Sequence, residues 1–252
     1  MLEKLKYHLV RVSILLIMAA LIAGMAGCTG DGYTPSQNLE IRTWYDLDAV
    51  RNNLRGHHTL MNDLDSTTPG YTELASAAAN GGKGWQPIGN LTAAANYTFT
   101  GTFDGQGCEI RDLFINRPDE TRVGLFCFVY EGGVIKNLGV TNVTLICRGM
   151  SGGLVGQNGG VDDSNNRYAG TISNSYCSGN VTGDAYVGGL VGISFGTVNN
   201  CHAEGNVTGT HYVGGLTGAN IGTASKCYSA GSVTGNFVCR RSGGTERIRL
   251  WT

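Results

Sequence analysis

The stretch ISNSYCSGNVTGDAYVGGLVG spans residues 172–192, and related stretches follow it: VNNCHAEGNVTGTHYVGGLTG at 198–218 and ASKCYSAGSVTGNFV at 224–238. Equivalent positions are 26 residues apart. Self-similarity at a fixed period predicts stacked repeats in place of one globular core. Short β-type runs separated by Gly and Asn predict an all-β fold, a single-stranded parallel β-helix with about 26 residues per coil. We expect this solenoid to be right-handed.

Residues at equivalent repeat positions should form columns along the axis, because stacked strands lie about 4.8 Å apart. An earlier GGLVG copy at residues 152–156 is displaced by an insertion around Val161–Asn166, which predicts a surface loop. Gly156, Gly192 and Gly218 are expected to end strands, and Asn158, Ser194 and Asn220 to occupy the following turns. Three apolar columns predict the interior: Ile172, Val198 and Ala224; Val181, Val207 and Val233; Leu154, Leu190 and Leu216.

Six of the eight cysteines lie along the repeat region or just before it, and none forms a C-x-x-C pair. Ser175, Cys201 and Cys227 share one column, and Cys177, Ala203 and Ser229 share another on the same face. A Cys that alternates with Ser and Ala is typical of a small core residue, so we favour packing over a disulfide. Cys201 and Cys227 remain the pair whose spacing would permit a disulfide.

The first residues form a basic and then an apolar segment that ends in Ala26-Gly27-Cys28. This pattern predicts a signal peptide at residues 1–27. Small residues before a Cys resemble the lipobox of bacterial lipoproteins, which implies lipid attachment at Cys28 and a membrane anchor. An uncleaved anchor and ordinary secretion are the alternatives. A lipid anchor and an uncleaved anchor would each leave the chain outside the cytoplasm and attached to the membrane.

Composition limits the function classes. The chain has 40 Gly and 4 Pro among 252 residues, without the G-X-Y period of collagen. From Cys28 to Val238 there are 11 Lys and Arg against 17 Asp and Glu, so this part carries a net charge of −6. Nucleic-acid binding requires a basic surface, so we expect no nucleic-acid partner.

The region before the repeats predicts an N-terminal cap. Apolar residues at helical spacing in 44–54, preceded by Thr43 as a potential cap residue, indicate a short helix that covers the first coil. We therefore divide the chain into a signal peptide (1–27), a linker (28–38), the cap with irregular coils (39–150), the repeat coils (151–238) and a final segment (239–252).

The repeat motifs GGLVG and GNVTG, with SY or CY between copies, resemble the GLUG repeats of bacterial and archaeal surface proteins. The earlier motifs GWQPIG at 84–89, FDGQG at 103–107 and IKNLGV at 135–140 resemble the segment that commonly precedes such repeats. GLUG repeats also occur beside the catalytic part of IgA-specific metallopeptidases. The resemblance covers residues 39–238 and implies a surface repeat protein with a role in adhesion or as a spacer.

Candidate catalytic features are outweighed by structural interpretations. Gly192–Gly196 fits the G-x-S-x-G elbow, but no helical pattern follows Ser194, which the repeat places at a turn. Asp63 and Asp65 would point the same way in a strand, and Asp104 precedes a Gly in a turn, so a β-helix polysaccharide lyase or hydrolase remains the alternative function. No H-E-x-x-H motif occurs, and we expect no metal, no cofactor and no enzymatic activity.

The repeat predicts two aromatic columns: Tyr176, His202 and Tyr228, and Tyr186, Tyr212 and Phe237. The first points outward if its small neighbours point inward. Exposed aromatic residues can bind a glycan or a surface protein. The alternative is a stacked ladder that stiffens the sheet.

The final segment departs from the repeat. The period predicts GGL at positions 240–242, where the chain has Arg240, Arg241 and Ser242. One permitted set of codons for Cys239–Thr252, read one nucleotide later, encodes AGGLVGQNG in the expected register. We therefore expect residues 239–252 to be a frameshifted, non-native segment of a longer repeat protein.

Overall fold

The computed structural model describes residues 38–89, 98–162, 164, 166–235 and, for the backbone alone, 237–238. They belong to one compact unit. The predicted signal peptide, Cys28 and the segment 239–252 lie outside the described residues. The described chain is a parallel β-helix, as the repeat predicts, and each complete coil passes through three sheets in turn.

The first sheet contains one short strand from each coil, and all of its strands are parallel. Its strands, in sheet order, are β1 (Glu40–Ile41), β2 (His57–Leu60), β3 (Thr102–Asp104), β7 (Val134–Lys136), β12 (Thr171–Ser173), β16 (Thr197–Asn199) and β20 (Thr223–Ser225). The third sheet comprises β6 (Phe126–Val129), β9 (Val155–Asn158), β15 (Val191–Ser194) and β19 (Thr217–Asn220).

The second sheet is the largest and carries the outward aromatic residues. Its strands are β4 (Glu109–Arg111), β5 (Phe114–Val123), β8 (Gly139–Ser151), β13 (Tyr176–Thr182), β14 (Ala185–Gly188), β17 (His202–Thr208), β18 (His211–Gly214), β21 (Tyr228–Ala230), β22 (Val233–Thr234) and β23 (Phe237–Val238). The predicted surface loop is flanked by an antiparallel pair, β10 (Gly160–Val161) and β11 (Arg167–Tyr168).

The pairing confirms the 26-residue register. Ile172 pairs with Val198 and Val198 with Ala224, while Val181 pairs with Val207 and Val207 with Val233. Most members of the interior columns are fully buried. Ala224 and Val233 are exposed, because no described coil lies over them.

The predicted cap helix is present, although it is shorter than expected. Helix α1 (Trp44–Ala49) continues as a 3-10 turn at Val50–Asn52. Thr43 forms a capping box with Asp46, since the Asp46 amide donates to the Thr43 hydroxyl and the Thr43 amide donates to the Asp46 carboxylate. Two one-turn helices follow, α2 (Tyr71–Leu74) and α3 (Ala79–Gly82).

The glycines of the GGLVG motif correct one expectation. Gly156, Gly192 and Gly218 lie inside β9, β15 and β19 and do not end them. A Cβ at each position would lie 2.4 Å from a backbone carbon of another coil, so only glycine permits this approach. The glycine positions follow the repeat as predicted, but close contact with the backbone of another coil, and not a strand end, requires glycine there.

The turn residues correct a second expectation. Asn158, Ser194 and Asn220 are the last residues of their strands, and none has a positive φ. The left-handed turn positions are instead Asn137, Asn174, Asn200 and Lys226, with φ between 49° and 55°. Asn tolerates this conformation better than most residues.

The asparagine turns are joined by side-chain hydrogen bonds. The Asn200 amide donates to the Asn174 carbonyl oxygen at 2.9 Å, and the Asn174 amide donates to Asn137 at 3.1 Å. The Asn137 amide donates to the Asp104 carboxylate at 3.0 Å, which ends the ladder. Asp104 also accepts from Lys136, so its carboxylate has a structural role in the irregular coils before the repeats, which we call the lead-in coils.

The cysteine columns are packed as small residues. Cys201 and Cys227 are both present as thiols and not as a disulfide. The Ser175 hydroxyl and the Cys201 and Cys227 thiols each donate to the carbonyl two residues earlier in the chain. The hydrogen bond with Cys227 and burial raise the pKa of the Cys201 thiol.

We predict that Cys201→Ser changes the free energy of unfolding by less than about 1 kcal/mol, because Ser175 already makes the same hydrogen bond in this column. Cys201→Leu should cost about 1–3 kcal/mol, since the larger side chain overpacks the interior. Chemical denaturation followed by circular dichroism measures both values. Equal losses in the two variants would contradict this packing interpretation.

Candidate functional site

The first aromatic column lies on the outer face of the second sheet. Tyr176 pairs with His202 and His202 with Tyr228 on successive strands. Ser175 and Cys177, the chain neighbours of Tyr176, are buried. The Tyr176 side chain between them therefore points outward, as predicted.

The three rings form one continuous stack. The Tyr176 and His202 ring centroids are 4.9 Å apart with an interplanar angle of 3°, and those of His202 and Tyr228 are 4.8 Å apart at 2°. Tyr228 is 55% exposed. Because each ring covers its neighbour's face, the column presents ring edges and polar tips to solvent, together with the outer face of Tyr228.

The second aromatic column is shorter than predicted. Tyr186 and Tyr212 stack with centroids 4.7 Å apart, and both have left-handed backbone conformations. The prediction that Phe237 continues this column is wrong, because its backbone pairs with His211. A register shift between His211 and Val213 leaves Tyr212 without a counterpart in that pairing.

Glu109 anchors the first column, although no sequence motif marks it. The Tyr176 hydroxyl donates to the Glu109 carboxylate. Arg111 donates to Glu109 at 2.6 Å and to Asp63 at 2.7 Å, so a charged cluster lies at one end of the aromatic stack. Glu109 lies in an irregular coil before the repeats, where no period marks its position.

The hydrogen bonds of this cluster shift the titration of its members. Those from Tyr176 and Arg111 lower the pKa of Glu109. Burial, followed by the hydrogen bond to Glu109, raises the pKa of Tyr176 to about 12. A phenol in an unfolded chain titrates near pH 10.

We predict that Tyr176 contributes stability that is present below about pH 10 and is lost as the pH rises through 12, because folding favours its neutral form. Tyr176→Phe should remove this part of the alkaline pH dependence. Denaturation series between pH 9 and pH 12 test the difference. An unchanged slope in Tyr176→Phe would contradict the prediction.

The candidate catalytic carboxylates are engaged in separate local contacts. Asp63 and Asp65 do not share a strand, since β2 ends at Leu60 and Leu64 forms an isolated bridge with Ile110. Asp63 accepts from Arg111 and from the Glu109 amide, whereas Asp65 accepts from Thr67 and Thr68 in a tight turn. Asp63 and Asp65 therefore flank a single bridge residue outside the named strands, and their carboxylates have different hydrogen-bond partners.

Ser194 lacks the setting of a nucleophile. It is fully buried at the end of β15, and its hydroxyl accepts from the Asn158 amide at 3.2 Å. Strand β16, and not a helix, follows it. His202 lies on the outer face of a different sheet. Within the residues that the structure describes, no group of three or more His, Cys, Asp or Glu could hold a metal ion.

Repeated coils joined in strict register define this chain as a β-helical repeat protein. Residues 183–208 match the family model of the GLUG motif. This part of the chain thus carries a GLUG motif, as the GGLVG and GNVTG stretches indicate.

Two relatives share this region. Halomucin of Haloquadratum walsbyi is 32% identical over 166 residues, which are 65% of this chain and 2% of that protein. A candidate Gly-rich membrane protein of Evansella cellulosilytica is 39% identical over 129 residues, which are 49% of this chain and 14% of that protein. The chain therefore spans a small fraction of either relative.

A solved structure supports the fold. The crystal structure of a candidate immunoglobulin A1 protease from Bacteroides ovatus, at 1.30 Å resolution, is similar with a TM-score of 0.61 and 21% identity. The similarity covers 81% of this chain and 61% of that one. At this identity the likeness concerns the fold alone.

The second of these relatives is named as a membrane protein. In the described part of the chain, no helix has the length and apolar character needed to cross a membrane.

Proposed function

We propose that this chain is a non-enzymatic, extracytoplasmic surface module that binds glycans through the Tyr176–His202–Tyr228 column. The observation that carries the proposal is the continuous outward stack of these rings on consecutive coils. Tyr and His combine apolar edges with polar tips, which suits them to sugar rings that alternate C–H and hydroxyl groups.

The solenoid itself supports a spacer role. Each coil adds about 4.8 Å along the axis, so repeats extend a surface by a fixed increment. The candidate carboxylates Asp63, Asp65 and Asp104 take part in turns and ion pairs, which favours binding over catalysis. These contacts argue against a lyase or hydrolase that needs clustered carboxylates.

An assay on a polysaccharide panel tests the non-enzymatic part of the proposal. Purified protein should release no reducing or unsaturated ends from any member, while it retains at least one glycan on an array. Release of either kind of end would identify an enzyme and overturn the proposal. Retention of no glycan would leave the spacer role and remove the binding role.

Attachment to the membrane is proposed through a lipid on Cys28. The lipobox-like Ala26-Gly27-Cys28 motif supports it. Palmitate labelling of the full chain in a bacterial host should be present in the wild type and absent in Cys28→Ala. Labelling that survives this substitution would contradict the lipid anchor.

A further inference from the structure

The aromatic column is joined to a residue two strands away. Glu109, Gly139 and Tyr176 occupy the same register position on β4, β8 and β13. Tyr176 reaches across the intermediate strand to Glu109 because Gly139 has no side chain. A Cβ at Gly139 would lie 2.5 Å from Cζ of Tyr176 and 2.7 Å from its hydroxyl oxygen.

The carboxylate that receives this hydrogen bond is itself fixed in place. Its second oxygen accepts from Arg111 at 2.6 Å and from Thr141 at 3.4 Å. Asp63 then holds the same strand from the other side, since it accepts from the Glu109 amide at 2.8 Å and from Arg111. Glu109 is therefore held at its backbone and at both carboxylate oxygens.

Because the Glu109 carboxylate is fixed in place, it constrains the orientation of the whole aromatic column. The direction of the hydroxyl hydrogen bond fixes the Tyr176 ring, and His202 lies on that ring within 3° of parallel. Tyr228 in turn lies within 2° of the His202 plane. The orientation is thus passed from the anchor to the most exposed ring of the column.

We propose that Glu109 is the positioning residue of the Tyr176–His202–Tyr228 column and that Gly139 provides the gap through which it acts. The ligand-binding part of this inference rests on the proposed function. It also specifies which groups can donate to a glycan. The Tyr176 hydroxyl proton is already donated to Glu109, so His202 and Tyr228 supply the hydrogen-bond donors to the sugar.

The anchor can be tested without any ligand. The difference between wild-type and Tyr176→Phe ultraviolet titrations isolates the Tyr176 phenol, whose pKa should lie at about 12. In Glu109→Gln this midpoint should fall toward the ordinary value of about 10. The ring protons of His202 should also shift in the NMR spectra of Glu109→Gln and Gly139→Ala.

The matched control is Glu204→Gln. Glu204 is an exposed acid on the same face, two residues beyond His202 in β17. This variant removes the same charge without touching the Tyr176 hydroxyl, so the Tyr176 midpoint should be unchanged. If Glu109→Gln also leaves this midpoint unchanged, or if Glu204→Gln moves it equally, Glu109 is not the positioning residue.

A second measurement separates this inference from the proposed function. On the same glycan array, Glu109→Gln should weaken retention by roughly five- to tenfold, the scale of a partly exposed charge-assisted hydrogen bond. Tyr176→Phe should have the same effect, and the double variant should be no weaker than either single one. Additive losses would overturn the anchor, whereas failure of the wild type to bind any glycan would overturn the binding function and leave the titration to decide the anchor.

Discussion

Gly205→Ala should destabilise the solenoid by about 4 kcal/mol or more, because both its backbone and its surroundings exclude a side chain. Gly205 has φ of 129°, which L-residues rarely adopt. A Cβ at this position would lie 2.0 Å from the carbonyl oxygen of Gly179 on the preceding coil. Gly179 and Gly231 repeat this arrangement at the same position, so neither neighbouring strand can move away without disturbing the next.

Gly107→Ala is the matched control for this prediction. Gly107 also has a positive φ, 83°, but a Cβ there would meet no atom within 4 Å. The cost should be about 1–2 kcal/mol, the conformational part alone. Chemical denaturation of both variants measures the difference. Losses of the same size would contradict the claim that close packing between coils requires glycine in this column.

Trp44→Ala should lower the free energy of unfolding by about 3–5 kcal/mol. Trp44 is fully buried, its ring lies 5.7 Å from those of Tyr71 and Trp85, and its indole N–H donates to the Asp65 carbonyl at 3.0 Å. Truncation leaves a cavity and an unpaired carbonyl between the cap helix and the first coils. Thermal and chemical denaturation should both report the loss.

Tyr45→Ala tests whether the destabilisation expected for Trp44→Ala results from the burial of the side chain. Tyr45 is the next residue of the same helix and is 51% exposed. Its truncation should cost no more than about 1 kcal/mol, since little apolar surface is lost from the interior. If the two substitutions are equally destabilising, the cap helix does not cover the core as we describe.

The repeat region was the most predictable part of the chain. A fixed period of 26 residues determines which side chains stack. The columns that contain Ile172, Val181 and Tyr176 are therefore found by adding 26 to each residue number. The alternation of small and aromatic residues around Tyr176 also gave the outward direction of its ring. Periodicity carries this information because every coil meets the same geometry.

The lead-in coils were less predictable, because they lack a period. Asp63 and Asp65 have the spacing of a strand, but local hydrogen bonds to Thr67 and Thr68 draw Asp65 into a turn. Glu109 and Gly139 pair across chain segments whose separation differs from the repeat, so no column could be drawn through them. The asparagine turns did leave a signal, since Asn174 and Asn200 are one period apart.

The most direct test of the central claim is the binding of Tyr176→Ala/Tyr228→Ala to a glycan array beside wild-type protein and Tyr45→Ala. We expect the wild type and Tyr45→Ala to retain the same glycans and the double variant to lose them, while circular dichroism shows that all three are folded. Retention of the same glycans by the folded double variant would contradict the claim that this column is the binding surface.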